Sequence, residues 1–129
     1  MNNLQDRIPS PIVEQGEHEG IVWCVAEGPY SHYQPNVPYK QYNGYCVIPE
    51  DHPLANFNDE DYGHFHEFEV HGGITYCSQN VIGFDTVHLG DYFPWGGFPT
   101  KHTYRKWSLE DVKQETLKLA QQIKNYPKE

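Results

Sequence analysis

The sequence predicts an α+β domain: a mixed or antiparallel sheet of about five strands, covered by one C-terminal helix. Short apolar runs rich in β-forming residues are separated by loops containing Pro, Gly and Asn over the first two thirds of the chain. A helical periodicity of apolar residues is clear only near the C-terminus. The 129 residues are the size of one ordinary domain.

The strand-like segments follow a polar N-terminal arm. We expect residues 1–20 to form this arm, a mobile or surface segment, and residues 21–129 to form the single domain. The predicted strands are Ile21–Ala26, Tyr45–Ile48, His64–Val70, Ile74–Cys77 and Val81–Phe84. The first of them is a continuous apolar run, which is typical of a strand buried on both faces.

The predicted helix begins after Ser108, a good N-cap that forms a capping box with Asp111. Pro127 closes it. Its apolar stripe consists of Leu109, Val112, Thr116, Leu119, Ala120, Ile123 and Tyr126. Leu117 lies to one side of the stripe between lysines, where it either widens the core face or meets a second subunit.

The charge distribution argues against long nucleic acid as a partner. The net charge is −9, and residues 1–100 contain only two basic residues against fourteen acids. Residues 101–129 contain seven basic residues against four acids, enough to capture a small anion but not an extended backbone. No apolar run approaches the length of a membrane span, and the first residues lack the pattern of a signal peptide.

The three cysteines, Cys24, Cys46 and Cys77, lie in apolar runs and form no C-x-x-C pair. We expect buried, reduced thiols in a cytoplasmic protein. No nucleophile elbow, phosphate loop or paired H-x-[ST] motif is present, so nucleophilic catalysis is not indicated.

Histidines and carboxylates are dense between residues 64 and 91. One interpretation is a metal-dependent phosphohydrolase with the ligands His71, Asp85, His88 and Asp91. The alternative is that these side chains hydrogen-bond loops together, which we favour because no established metal signature is present.

The same region favours a binding site for a small nucleotide-like anion. Aromatic rings would stack on bases, while glycine N–H groups, hydroxyls and cations would hold phosphate. The predicted ligand-binding residues are His71, Gly72, Gly73, Thr75, Tyr76, Asp85, His88, Asp91, Tyr92, Trp95, Lys101, Thr103 and Arg105.

Two strings, VHGG-x-T-Y from Val70 and GFD-x-x-H-x-GD from Gly83, resemble those of a widespread family of small phage-encoded proteins. The resemblance extends from Gly44 to the C-terminal helix, about two thirds of the chain, and does not include residues 1–43. It also associates the chain with the anti-CBASS sponges, which sequester cyclic dinucleotides without cleaving them and are typically homo-oligomers. That association does not extend residue by residue, so no ligand contact is transferred.

The leading hypothesis is therefore a non-enzymatic immune-evasion sponge in the cytoplasm of an infected bacterial host. It would bind a cyclic dinucleotide or related nucleotide, need no cofactor and form a homo-oligomer. The alternatives are the metal-dependent phosphohydrolase and a phage protein that blocks a host protein through the Tyr/Pro-rich loop 28–44.

Overall fold

The computed structural model describes residues 3–28, 39–88, 91 and 105–127. Within these residues five strands form one sheet and a single long helix follows them. The elements are β1 (Ile12–His18), β2 (Ile21–Glu27), β3 (Tyr42–Val47), β4 (Tyr76–Ser78), β5 (Val81–Phe84) and α1 (Leu109–Asn125). Two short 3₁₀ turns, Leu4–Arg7 and Tyr62–Phe65, accompany them.

The sheet has the order β1-β2-β3-β5-β4, and every neighbouring pair of strands is antiparallel. The predicted α+β class is confirmed. The sequence allowed either a mixed or an antiparallel sheet, and the structure has the antiparallel one. A two-residue turn joins β4 to β5, and its residues Gln79 and Asn80 both have positive φ, at 52° and 61°. This is the backbone that a tight hairpin requires, and Asn adopts it readily.

Strand β2 lies between two hydrophobic clusters, as its continuous apolar run predicts. Ile21, Trp23 and Val25 belong to the larger cluster, which also contains the buried residues of α1. Cys24 and Ala26 belong to a smaller cluster on the other face, together with the N-terminal Ile8. The prediction of a strand buried on both faces is confirmed.

Helix α1 begins and ends where the sequence predicts. The Ser108 hydroxyl accepts a hydrogen bond from the Asp111 N–H at 3.0 Å, and the Asp111 carboxylate accepts one from the Ser108 N–H at 3.1 Å. The helix buries Val112, Thr116, Leu119, Ala120 and Ile123. Leu117 is partly buried against the same cluster, as a wide core face predicts, and its contact with a second subunit stays a prediction. Among the described residues, no helix is long and apolar enough to cross a membrane.

Helix α1 lies close against the sheet at Gly44 in β3. A Cβ atom at this position would overlap the Thr116 side chain and the Phe84 ring. Glycine therefore allows the helix to lie directly on the middle of the sheet.

The prediction of a polar arm for residues 1–20 is wrong for most of that segment. Residues 12–18 form β1, which pairs with β2 from Ile12 opposite Ala26 to His18 opposite Ile21. Its residues alternate between exposed and partly buried, so neither side of the strand is strongly apolar. An edge strand of this kind lacks the apolar alternation by which a strand is recognised in sequence.

The predicted strand at residues 64–70 is also wrong. Tyr62–Phe65 forms a 3₁₀ turn, and the Phe68 N–H donates to the Phe65 carbonyl at 3.1 Å. Phe65 and Phe68 are both buried in the larger cluster. Residues three apart lie on one side of a turn but on opposite faces of a strand, so their common burial requires the turn.

The other predicted strands differ from the structure only at their ends. The one predicted over Tyr45–Ile48 covers Tyr42–Val47, and the one predicted over Ile74–Cys77 covers Tyr76–Ser78. Cys24, Cys46 and Cys77 are free and buried, as predicted. Burial raises the pKa of the Cys24 thiol to about 12 and that of the Cys46 thiol well above its ordinary value.

Candidate functional site

Four predicted site residues, from the turn before β4 and the segment after β5, lie together in the structure. His71 Nε2 lies 2.7 Å from Asp91 Oδ2, and His88 Nε2 lies 2.8 Å from Asp85 Oδ1. The two imidazole rings contact each other edge to face, with centroids 5.5 Å apart. The cluster is therefore two neighbouring His–Asp pairs at one end of the sheet.

Asp91 organises the cluster through three hydrogen bonds. Its Oδ2 accepts from His71 Nε2 at 2.7 Å and from the backbone N–H of His88 at 2.9 Å. Its Oδ1 accepts from the indole N–H of Trp107 at 3.0 Å. The Asp91 side chain is only 2% exposed, so these three donors replace water as the partners of a buried carboxylate.

The second pair is held differently. Asp85 accepts the backbone N–H of Val87 at 3.2 Å, a local turn that fixes its carboxylate beside His88. The carboxylate oxygen lies off the line along which a His88 ring N–H would point, so the buried Nε2 makes no hydrogen bond within the described chain. Gly72 has a φ of +70°, and a Cβ there would overlap the His88 ring. Glycine is required at this position for both reasons.

Helix α1 and the residues before it complete the surroundings of His71. The backbone N–H of His71 donates to the Glu115 carboxylate at 2.7 Å, which ties the turn to the helix. The His71 and Trp107 rings are in contact, with their centroids 4.5 Å apart. On the same indole, the Arg105 guanidinium lies 3.5 Å from the ring centroid. The Trp107 indole is thus in contact with both an imidazole and a guanidinium.

The cluster is not arranged as a set of metal ligands. In the part of the chain that the structure describes, no three His, Cys, Asp or Glu side chains are placed to hold one metal ion. Each Asp91 oxygen already accepts hydrogen bonds, and a metal ion would have to displace them. The arrangement agrees better with the alternative in which these residues join loops through hydrogen bonds.

Other predicted site residues are placed elsewhere or are already engaged. The Tyr76 hydroxyl donates to the Arg7 carbonyl at 2.8 Å, and its ring packs on Tyr45 in the smaller cluster, so it lies away from the His–Asp pairs. The Gly73 N–H donates to the Val70 carbonyl at 2.9 Å, so it is not free for a phosphate as the sequence suggested. The Thr75 N–H donates to the Gly83 carbonyl at 2.9 Å, and the predicted phosphate contact of the Thr75 hydroxyl stays a prediction.

Some predictions fall on residues outside the described ranges. These are the ligand-binding residues Tyr92, Trp95, Lys101 and Thr103. The same applies to most of the loop 28–44 proposed for binding a host protein, since only residues 28 and 39–44 of it are described.

An open groove of about 350 Å³ lies beside Trp107, and sequence reasoning did not predict it. Its walls come from the chain entering β3 and from the chain entering α1. The lining residues are Tyr39, Lys40, Tyr42, Lys106, Trp107, Ser108 and Leu109. Two tyrosines that flank a lysine and a glutamine over residues 39–42 were a signal for it, but the sequence does not reveal that this segment lies against Lys106 and Trp107.

The two walls are joined by hydrogen bonds. The Trp107 backbone N–H donates to the Tyr39 hydroxyl at 2.9 Å, and that hydroxyl lies 3.4 Å from the Trp107 carbonyl, to which it donates. Lys40 Nζ lies 3.4 Å from Glu27 Oε1. This ion pair holds the lysine near the groove while its side chain stays exposed. The aromatic side of the groove is therefore positioned before any ligand arrives.

Comparison with known proteins gives no relative. No protein-family model, no curated protein and no solved structure matches this chain. The function is therefore argued from the geometry of the groove and of the His–Asp pairs beside it.

Proposed function

We propose that this protein binds a compact anionic nucleotide, such as a cyclic dinucleotide, and sequesters it without cleaving it. The observation that carries the proposal is the groove, whose lining includes Tyr39 and Tyr42 together with Lys40 and Lys106. A nucleotide needs a flat π surface for its base and cations for its phosphate. The volume lies near the lower end of the range of small-molecule sites, roughly 300–1,000 Å³, so the groove would hold one of the two nucleotide units of a cyclic dinucleotide.

The state of the reactive side chains supports binding rather than turnover. The cysteines are buried, and desolvation raises the pKa of the Cys24 thiol to about 12, so that thiol is not a nucleophile at neutral pH. Asp91 is saturated with hydrogen bonds from the protein itself. Neither group is poised to attack a phosphodiester bond.

We further propose that the protein acts as an immune-evasion sponge in the cytoplasm of a phage-infected bacterium and that it forms a homo-oligomer. The support is the resemblance of the strings around residues 70–76 and 83–91 to those of small phage-encoded proteins. The acidic net charge of −9 agrees with a small ligand rather than a long nucleic acid.

Calorimetric titration with cyclic di-AMP and cyclic di-GMP, followed by heat denaturation, tests sequestration. We expect saturable binding and recovery of the intact ligand by chromatography and mass spectrometry. Recovery of a linear or hydrolysed product would contradict sequestration and favour the phosphohydrolase. Absence of binding to both compounds would contradict the proposal for cyclic dinucleotides.

Two variants test whether the groove is the binding site. Tyr42→Leu keeps apolar bulk but removes a π surface, and Lys106→Ala removes a cation. Since stacking is worth about 1–3 kcal/mol per base, we expect Tyr42→Leu to weaken binding by roughly 5- to 150-fold. Lys124→Ala is the matched control, because Lys124 is an exposed lysine in the last turn of α1. Equal affinities of all three variants would place the ligand elsewhere.

A further inference from the structure

The His71 imidazole has one nitrogen committed to the protein and one that is not. Nε2 lies 2.7 Å from Asp91 Oδ2, and a carboxylate can only accept, so Nε2 carries the proton. In the neutral ring Nδ1 then holds a lone pair. No described residue donates to Nδ1, and the side chain is 26% exposed. With Nε2 bound to Asp91, Nδ1 is the hydrogen-bond acceptor of the neutral His71 ring.

Arg105 presents the opposite chemistry on the same indole. Its guanidinium lies 3.5 Å from the centroid of the Trp107 ring, and the residue is exposed. No described carboxylate forms an ion pair with it. The nearby acids are engaged elsewhere, Asp85 by His88 and Glu115 by the His71 N–H and by Lys118. A stacked guanidinium with free donors is a common phosphate contact.

We infer that His71 and Arg105 together recognise a ribose hydroxyl that neighbours a phosphate, with Arg105 on the phosphate and His71 Nδ1 on the hydroxyl. The inference rests on the proposed nucleotide binding and names the feature of the ligand that is read. In a ribonucleotide a hydroxyl and a phosphate occupy neighbouring carbons, whereas the donors of the base lie at the far end of the nucleoside. A hydrogen-bond acceptor and a cation that contact the same indole match a hydroxyl and a phosphate on neighbouring carbons.

Trp107 connects this subsite to the groove. Its ring contacts both His71 and Arg105, and the same residue lines the groove beside Tyr39 and Lys106. In this proposal, a base on the tyrosines has its ribose and phosphate on the Trp107 side of the groove. His71 is a specificity-determining residue in this arrangement, and Asp91 positions it.

Guanosine 3′-monophosphate is the probe, with 2′-deoxyguanosine 3′-monophosphate as its matched partner, because the pair isolates one hydroxyl next to one phosphate. Binding is measured by NMR titration at mildly alkaline pH. We expect the ribonucleotide to bind about tenfold more tightly and to shift the His71 Nδ1 resonance. Equal affinities, or no binding of either nucleotide, would overturn the inference.

Three variants separate the two contacts. His71→Lys keeps a donor for Asp91 but has no acceptor, so the preference for the ribonucleotide should disappear. His71→Gln keeps both a donor and an acceptor and should retain it. Arg105→Ala should weaken both nucleotides alike and leave their ratio unchanged. A preference that survives His71→Lys would show that the hydroxyl is read by another residue.

Failure of this inference and failure of the proposed function give different results. If cyclic dinucleotides do not bind but the 3′-monophosphates are discriminated through His71, sequestration of cyclic dinucleotides fails and the subsite stands. If cyclic dinucleotides bind but the two monophosphates do not differ, the groove stands and the role of His71 is wrong.

Discussion

Asp91 Oδ2 lies 2.7 Å from His71 Nε2, joining two residues that are 20 positions apart in the chain. The same carboxylate accepts the indole N–H of Trp107, just before α1. One buried anion therefore links the turn before β4, the segment after β5 and the start of the helix. Because a buried carboxylate without donors is costly, the three segments hold one another in place.

Asp91→Asn should destabilise the protein by roughly 2 kcal/mol. An amide replaces one acceptor oxygen by an NH₂ group, which then faces N–H donors of His71 and His88 or of Trp107. Urea unfolding followed by tryptophan fluorescence measures the change in free energy. Asp61→Asn is the control, since Asp61 is an exposed acid, and it should change stability by less than about 0.5 kcal/mol. Equal effects would show that the network contributes nothing to stability.

Two adjacent glycines allow steric overlap to be separated from backbone strain. Gly72 and Gly73 both have positive φ, at 70° and 79°. A Cβ at Gly72 would overlap the His88 ring, whereas one at Gly73 would meet no atom within 4 Å. Gly73→Ala should therefore cost only the strain of the left-handed backbone, about 1 kcal/mol, and Gly72→Ala should cost at least about 1 kcal/mol more.

Thermal or urea unfolding of both alanine variants measures this difference. The His88 side chain gives a second readout, because only Gly72→Ala should displace its ring and shift its NMR resonances. Identical stabilities and an unmoved His88 would show that a Cβ at position 72 does not overlap the His88 ring.

The parts of the fold that depend on local chemistry were predictable from sequence. Ser108 and Asp111 are three residues apart and satisfy each other's backbone within one turn, so the start of α1 could be read directly. The apolar run from Ile21 likewise identifies a buried strand without knowledge of its neighbours. In both cases the residues that decide the structure are close together in the chain.

The parts that depend on distant partners were not predictable in the same way. Strand β1 has no apolar face of its own and is defined by its pairing with β2. The cluster of His71, Asp85, His88 and Asp91 was inferred as a group, but its division into two pairs depends on Trp107 and Glu115. The groove depends on residues 39–42 meeting residues 106–109, a contact between segments that are more than sixty residues apart.

Buried thiols should make the protein less stable at high pH. Desolvation raises the pKa of Cys24 from 9.0 to about 12, and the pKa of Cys46 is also raised. Above pH 9 the unfolded chain loses these protons while the folded chain keeps them, so unfolding becomes more favourable. Each such thiol lowers the free energy of unfolding by about 1.4 kcal/mol per pH unit until the pH reaches its folded pKa.

Urea titrations between about pH 7 and 11 measure this slope. Cys24→Ala removes one titrating thiol, so its slope at high pH should be shallower than that of the wild type. A slope unchanged by the substitution would show that Cys24 ionises equally in both states. In the folded protein at neutral pH, these thiols should also react slowly with a disulfide reagent, since burial restricts both ionisation and access.

The N-terminal segment should contribute to stability as part of the fold. Ile8 is 6% exposed and belongs to the smaller hydrophobic cluster with Tyr45 and Val81, whereas Val13 in β1 is 45% exposed. Ile8→Ala should cost roughly 2–4 kcal/mol through lost burial and the cavity left behind. Val13→Ala, the control from the same segment, should cost less than about 1 kcal/mol. Urea unfolding of the full chain distinguishes the two cases, and equally small effects would show that the packing of Ile8 contributes little to stability.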